Sequence, residues 1–340
     1  MSFRINRRTF LSSTAATTSF AAVSLLTKVS KAAEFEYKIG NDVPDTHPMN
    51  VRLKEVVANI EKETNNRLVF KLFPNNQLGG DTDMLSQLRS GALECFNLSG
   101  LILATLVPVA SIYGIAFAFK DQDTVFAALD GDLGKHLRGA IEKAGIGSFE
   151  KIWSNGYRQI LTGEKPIKVP GDLRNTKIRV PVSPLWLSFF KALGASPVGI
   201  NWNETYSALQ TKVVDGLDSS LLNAEISKMY EVQKYCAMTN HMWDGYIFLL
   251  NRRAWAALPK DLQEVAERNF NAACLQQRQD YPKIDATLRP QLERKGILFT
   301  DPKAEEFREA LKQGGYYAGW RKQYGREAWA ALEKYSGPLG

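Results

Sequence analysis

The tightest constraint on this chain comes early, in the order strand, helix, strand. Residues 34–43 alternate around Phe35, Tyr37 and Ile39, as a strand with one buried face does. Residues 50–64 then place Val51, Leu53, Val56, Val57 and Ile60 at helical spacing, and 68–73 form a second apolar strand. A helix between two strands implies a right-handed crossover and a parallel pair, so the sequence predicts an α/β fold with a largely parallel sheet.

The same alternation continues. A helix is expected over 81–90 with Asp81 as its N-cap, a strand over 94–99 and a helix over 122–144. A strand over 146–153 should break at Asn155-Gly156-Tyr157-Arg158 and leave Arg158 exposed. Further strands are expected at 175–181, 198–202, 213–218 and 246–251, with helices at 184–193, 204–210 and 221–233. Residues 259–295 carry one long helical pattern with Pro282 and Pro290 inside it, each expected to kink or break it. The tail over 304–335 reads as helix with Gly314-Gly315 as a hinge. At 340 residues two lobes are expected, with one large α/β domain as the alternative, and the lack of repeats or low-complexity linkers means that crossing strands must join the lobes.

The formal charge of +7 is misleading about partners. Arg4, Arg7, Arg8, Lys28 and Lys31 all lie in the first 32 residues, which hold no acidic side chain; what remains is 38 basic against 36 acidic residues. That removes the argument for nucleic acid. The leader has its own reading. Asn6-Arg7-Arg8-Thr9-Phe10-Leu11, a mildly apolar run and Ser30-Lys31-Ala32 match a twin-arginine export signal with a small-x-small cleavage pattern. A general secretory signal is the alternative, and both predict a periplasmic protein. Cys95, Cys236 and Cys274 are widely spaced and lack metal-site spacing, so buried thiols are expected.

Catalytic chemistry finds little purchase here. His47, His136 and His241 are the only histidines, no G-x-S-x-G elbow occurs, and Glu204, Asp215 and Asp218 show no sign of acting as a pair. His241 reads as structural. The unusual feature is Arg179, within Lys177-Ile178-Arg179-Val180-Pro181, where an apolar strand hands over to a helix. A buried guanidinium needs a partner, and its planar fork fits a carboxylate. The residues leave open whether that carboxylate belongs to the protein or to a small organic anion. Arg158 at a second strand end, with Trp186 and Trp202 as apolar walls, suits the anion.

An ordered series of segments resembles one family. It includes Phe73-Pro74-Asn75-Asn76-Gln77-Leu78-Gly79, Asn155-Gly156-Tyr157-Arg158 and Lys177-Ile178-Arg179-Val180-Pro181. It continues through Ala192-Leu193-Gly194-Ala195-Ser196-Pro197-Val198, Val214-Asp215-Gly216 and Thr239-Asn240-His241. This series is similar to that of the extracytoplasmic solute-binding receptors of TRAP transporters, the dicarboxylate-receptor-like type. The resemblance implies a two-lobed periplasmic-binding-protein-like fold, with mixed, mostly parallel sheets flanked by helices and a long kinked helix joining the lobes. Residues 33–155 and 245–282 would form lobe I, and 156–244 and 283–340 lobe II. It further implies a carboxylate clamp at Arg179, a second arginine at Arg158, and a cleft lined by Asn41, Asp81, Ser99, Val182, Trp202 and Ser219. The sialic-acid branch carries Glu at the position of Ser99 and Asn at those of Val182 and Ser219, so this chain departs from it. The expected ligand is a small organic acid: Trp202, Val182 and Trp186 favour a monocarboxylate such as a hydroxy, oxo, aromatic or sugar acid, and a dicarboxylate is the alternative. The implied partners are the membrane permease subunits, with no cofactor, no catalytic role and a monomeric state. A periplasmic enzyme on the same scaffold and a receptor feeding a sensor kinase are the alternatives.

Overall fold

A computed structural model of the chain describes residues 32–340. The expected export signal lies, but for Ala32, outside the described residues. Among the described residues there are eleven strands: β1 Phe35–Gly40, β2 Leu68–Phe73, β3 Cys95–Ser99, β4 Ile146–Ser148, β5 Trp153–Thr162, β6 Lys177–Val180, β7 Ser196–Gly199, β8 Gly216–Ser220, β9 Tyr235–Ala237, β10 Trp243–Asn251 and β11 Leu298–Thr300. They join in the order β2-β1-β3-β10-β5-β8-β6-β7, with β4 on β10 and β9 between β5 and β11.

The two ends of this path are parallel and its middle is antiparallel. β1 runs parallel to β2 and β3, and β6 runs parallel to β7 and β8, as helical crossovers require. β10 runs against β3 and β5, and β5 runs against β8. The two longest strands therefore carry the sheet from one parallel half to the other. The architecture is the expected α/β one, and its sheet is mixed, flanked by helices.

The helix Lys260–Arg294 makes the same crossing on the outside. Its first half buries Leu262, Ala266, Phe270 and Cys274 with Ile39 and Phe70 of the first half of the sheet and Leu53 of the helix Pro48–Glu63. Its second half buries Tyr281, Leu288 and Leu292 with Leu161, Leu217 and Cys236 of the other. Its 35 residues run unbroken through Pro282 and Pro290. All three cysteines are buried and free.

Some expected boundaries move. The helix expected over 122–144 divides into Gln122–Asp130 and Asp132–Lys143 at Gly131. Residues 221–233 form a helix only over Leu221–Ile226, followed by a 3-10 turn at Met229–Glu231. The tail forms three helices, Ala304–Gln313, Tyr316–Tyr324 and Arg326–Ser336, parted at Gly315 and Gly325, both with positive φ.

The largest correction concerns β5. Asn155-Gly156-Tyr157-Arg158 does not break a strand; it lies inside one, and Arg158 is 3% exposed. Asp244 of β10 pairs with Gly156 and Gly245 with Ser154, so Asn155 is the extra residue of a bulge. Gly156 has φ +77, and a Cβ there would stand 2.3 Å from the Tyr281 hydroxyl, which donates to the Asn155 carbonyl at 2.7 Å. Only glycine fits that position. The bulge turns both Asn155 and Arg158 toward one cavity at the centre of the sheet path.

Candidate carboxylate-binding site

The cavity lies where strand ends from both halves of the sheet meet. Asp42 after β1, Ser99 of β3, Asn155 and Arg158 of β5, Arg179 of β6, and Asp244 and Tyr246 of β10 all face it. Trp186, Trp202 and Asn223 line it from helices of the second half, and Asp81 from a helix of the first. Its open space is about 20 Å³. Ligand pockets usually begin near roughly 300 Å³, so admission of an organic acid requires this lining to part. A groove of about 500 Å³ around Lys135, Arg138, Arg252 and Trp255 lies elsewhere on the surface and shares none of these residues.

The two arginines have different surroundings. Arg158 is bound inside the protein: Nε donates to Asp218 Oδ1 at 2.8 Å, Nη2 to the Asp218 carbonyl at 3.0 Å, and Nη1 reaches Asp244 Oδ2 at 3.5 Å. Burial works against its charge, but Asp218 and Asp244 outweigh burial and raise its pKa. Asp218 is in turn held by His241 Nε2 at 2.7 Å, while His241 Nδ1 meets the Thr239 hydroxyl at 2.8 Å. Burial, with a smaller opposing effect from Asp218, lowers the His241 pKa and keeps the ring neutral. Nε2–H therefore donates to the carboxylate and Nδ1 accepts from Thr239. The expectation of a structural His241 holds.

Arg179 has no such partner. It is 1% exposed, and Nε and Nη2 both donate to the Ile200 carbonyl, at 2.9 and 2.7 Å. Nη1 is buried with no hydrogen-bond partner. Among the described residues no carboxylate lies within ion-pair distance of it. Trp202 lies against the guanidinium with its ring centroid 5.2 Å from Cζ. Burial first, then the nearby Arg158, hold its pKa down to about 10. It remains charged at neutral pH.

Three acids also line the cavity. Burial pushes Asp42 up to about 6, although the Tyr246 hydroxyl donates to its Oδ1 at 3.0 Å. Burial likewise raises Asp244, whose oxygens accept from Ser99 Oγ at 2.6 Å and Asn155 Nδ2 at 2.9 Å. Asp81 is raised well above the usual range by burial and by Asp42.

Of the site residues expected from the resemblance, Arg179, Arg158, Trp202, Ser99 and Asp81 share this lining. Asn41, Ser219 and Val182 are not part of it. The Asn41 amide is locked to Asn50 at 2.7 Å, and its Oδ1 accepts from the Val43 amide. Ser219 lies on β8 two residues from Leu217, the register partner of Arg179, and its hydroxyl, outside this lining, is buried without a hydrogen-bond partner. Val182 is half-buried beside Gly199. Two local assignments change as well. Asp81 does not cap its helix: Gly80 is the N-cap, and the Gly80 amide donates to Asp83 Oδ2 at 3.1 Å. That frees Asp81 to face the cavity. Trp202 begins the helix Trp202–Gln210 and does not end a strand.

Sequence reasoning missed Asp244, Tyr246, Asn155, Asn223 and Asp42. Asp244 had a readable signal. It is a lone acid in the apolar run from Met242 to Leu250, and a charge in a strand buried on both faces requires a partner.

Residues 39–318 match the family model for bacterial extracellular solute-binding protein, family 7 (DctP). The chain belongs to this family. It is 31% identical over 278 residues to protein y4mM of Sinorhizobium fredii, covering 82% of this chain and 51% of that one, so it spans about half the length of that relative. It is 27% identical over 283 residues to the 2,3-diketo-L-gulonate-binding periplasmic protein YiaO of Escherichia coli, covering 83% of this chain and 86% of YiaO. Its fold superposes with a TM-score of 0.83 on a TRAP periplasmic solute-binding protein of Sulfurospirillum deleyianum crystallised with succinate, at 26% identity, over 90% of this chain and 99% of that one. Members of this family are solute-binding proteins, and these structural neighbours have two lobes. Among the described residues no helix is long and apolar enough to cross a membrane.

Proposed function

We propose that this chain is the periplasmic receptor of a TRAP transporter, which captures a small organic acid between its lobes and delivers it to the membrane permease. One observation carries the reading. Arg179 is a fully buried cation with no carboxylate partner among the described residues and with Nη1 unpaired in the cavity lining. An unpaired buried donor is costly, and a ligand carboxylate removes that cost. Arg158 is committed to Asp218, which leaves one clamp and favours a monocarboxylate. Residues 33–155 with 245–282, and 156–244 with 283–340, act as the two lobes, hinged where β5, β10 and the helix Lys260–Arg294 pass between them. The leader sends the protein to the periplasm as a monomer.

Calorimetry against a panel of organic acids tests the reading, with uptake into membrane vesicles holding the permease as the second measurement. Micromolar or tighter binding that Arg179→Ala weakens by about 3 kcal/mol is the expected result. Undiminished affinity in Arg179→Ala overturns the clamp, and chemical turnover of a bound acid overturns the receptor.

A further inference from the structure

Four polar atoms in the cavity lining are buried without a hydrogen-bond partner: Arg179 Nη1, Trp186 Nε1, Asp81 Oδ1 and Asn223 Oδ1. Other residues of the protein pair with Arg158, Ser99, Asn155, Asp244 and Tyr246 elsewhere in this lining. Its unpaired atoms therefore form a map of what a ligand must supply. The Arg179 clamp takes an anionic oxygen, the reading on which this inference rests. The other three are the neutral Trp186 donor, the Asn223 acceptor and an oxygen of Asp81, whose carboxyl burial holds toward its protonated form.

The orientation of Asn223 follows from a chain of amides. Asp244 accepts hydrogen bonds, so Asn155 turns its Nδ2 toward it, at 2.9 Å. Asn155 Oδ1 then accepts from Asn223 Nδ2 at 3.2 Å, which leaves Asn223 Oδ1 without a donor. His47 also has an unpaired Nε2–H, since its Nδ1 accepts from the Met49 amide, and it lies close enough to Asn223 to feel it. Asn223 Oδ1 thus faces the cavity with His47 beside it. Asp81 Oδ1 has no such neighbour.

A second carboxylate has no seat in this lining. Arg158 is held by Asp218 and Asp244, His241 is neutral, and the acids facing the cavity are Asp42, Asp81 and Asp244. A hydroxyl suits it well. It donates to Asp81 and accepts from the Trp186 indole, and it adds no charge beside three carboxyls.

We propose that this site selects a hydroxylated monocarboxylic acid: the carboxylate binds Arg179 Nη1, and hydroxyls of the acid donate to Asp81 Oδ1 and accept from Trp186 Nε1. Asp81 and Trp186 are thereby the residues that set specificity. A site that leaves buried polar groups unpaired against an analogue lacking the hydroxyl rejects that analogue strongly.

The test uses the whole chain and matched acids of four and six carbons: erythronate, butyrate, succinate and tartrate, then gluconate, hexanoate, adipate and glucarate. In calorimetry the hydroxylated monocarboxylate of at least one length should bind at least about 100-fold more tightly than the unsubstituted monocarboxylate and the dicarboxylates of that length. Asp81→Leu and Trp186→Phe should each shrink the ratio between hydroxylated and unsubstituted acid by about tenfold or more, with Arg179→Ala weakening both alike. Unsubstituted or dicarboxylic acids binding as tightly as their hydroxylated counterparts overturn the selectivity while leaving the Arg179 clamp in place. So does an unchanged ratio in both variants. Binding that ignores Arg179, or no binding by any acid in the panel, overturns the clamp itself. The wild-type ratio needs no variant, so a variant that fails to fold leaves the inference exposed to refutation.

Discussion

Arg158 and Arg179 line one cavity from strands separated only by β8, and both are buried, yet they do opposite work. Arg158 is neutralised by Asp218 and Asp244 and backed by Trp186 at 5.0 Å. Arg179 is backed by Trp202 at 5.2 Å and hydrogen-bonded only to a backbone carbonyl. Burial and aromatic stacking therefore do not by themselves mark a binding arginine. What marks it is the unmatched charge and the free donor. A structural ion pair, one of the two readings the sequence left open for Arg179, describes Arg158 instead.

The comparison breaks most readily at Arg158. Arg158→Ala should destabilise the fold by about 3–5 kcal/mol in denaturant unfolding, because it strands Asp218 in a dry interior. A loss under about 1 kcal/mol erases the distinction between the two arginines. Arg179→Ala should do the reverse. It should weaken carboxylate binding by about 3 kcal/mol and change stability by no more than about 1 kcal/mol, since no protein carboxylate loses its partner. A stability loss as large as that of Arg158→Ala makes Arg179 structural too.

Asp42 sharpens the contrast through pH. Its pKa is about 6 in the fold against 3.8 as its ordinary value, so its stability contribution is full below about pH 4 and is lost as pH rises through 6. Asp42→Asn, which keeps an acceptor for the Tyr246 hydroxyl, should match the native protein at pH 3.5 and exceed it by about 2–3 kcal/mol at pH 8. Equal stability at both pH values shows that Asp42 is solvated and that the cavity is not the dry site on which the Arg179 reading depends. The smallest effect belongs to the rim. Asn201 Nδ2 donates to Thr82 Oγ1 at 3.1 Å, linking a loop beside β7 to the helix that presents Asp81. Asn201→Ala should speed ligand dissociation a few-fold in stopped flow, as loss of an exposed hydrogen bond of about 0.5–1 kcal/mol does. An unchanged rate removes this contact from closure.

Much of the fold was legible because it is local. β2 begins and ends where its apolar run does, and the helix Pro48–Glu63 follows its 3.6-residue spacing, because both periods are written in consecutive side chains. Arg179 was legible as a candidate for a similar reason: a cation in an apolar strand is visible without any knowledge of its neighbours. Boundaries at Gly131 and Gly325 were less so, since a glycine within a helical pattern signals a break only when packing demands one.

The Asn155–Arg158 segment shows the limit. Its residues read as a strand break, but the bulge that keeps them within β5 depends on Tyr281, more than a hundred residues away, occupying the space beside Gly156. The roles of the two arginines are equally non-local. Asp218 and Asp244 lie 60 and 86 residues from Arg158, and Ile200 lies 21 from Arg179. The α/β alternation, the family and the presence of a costly buried cation can all be read along the chain, because they depend on near neighbours and on ordered motifs. Which arginine is spent on the protein and which is free for a ligand depends on the folded arrangement, because charge pairing acts through space and not along the chain.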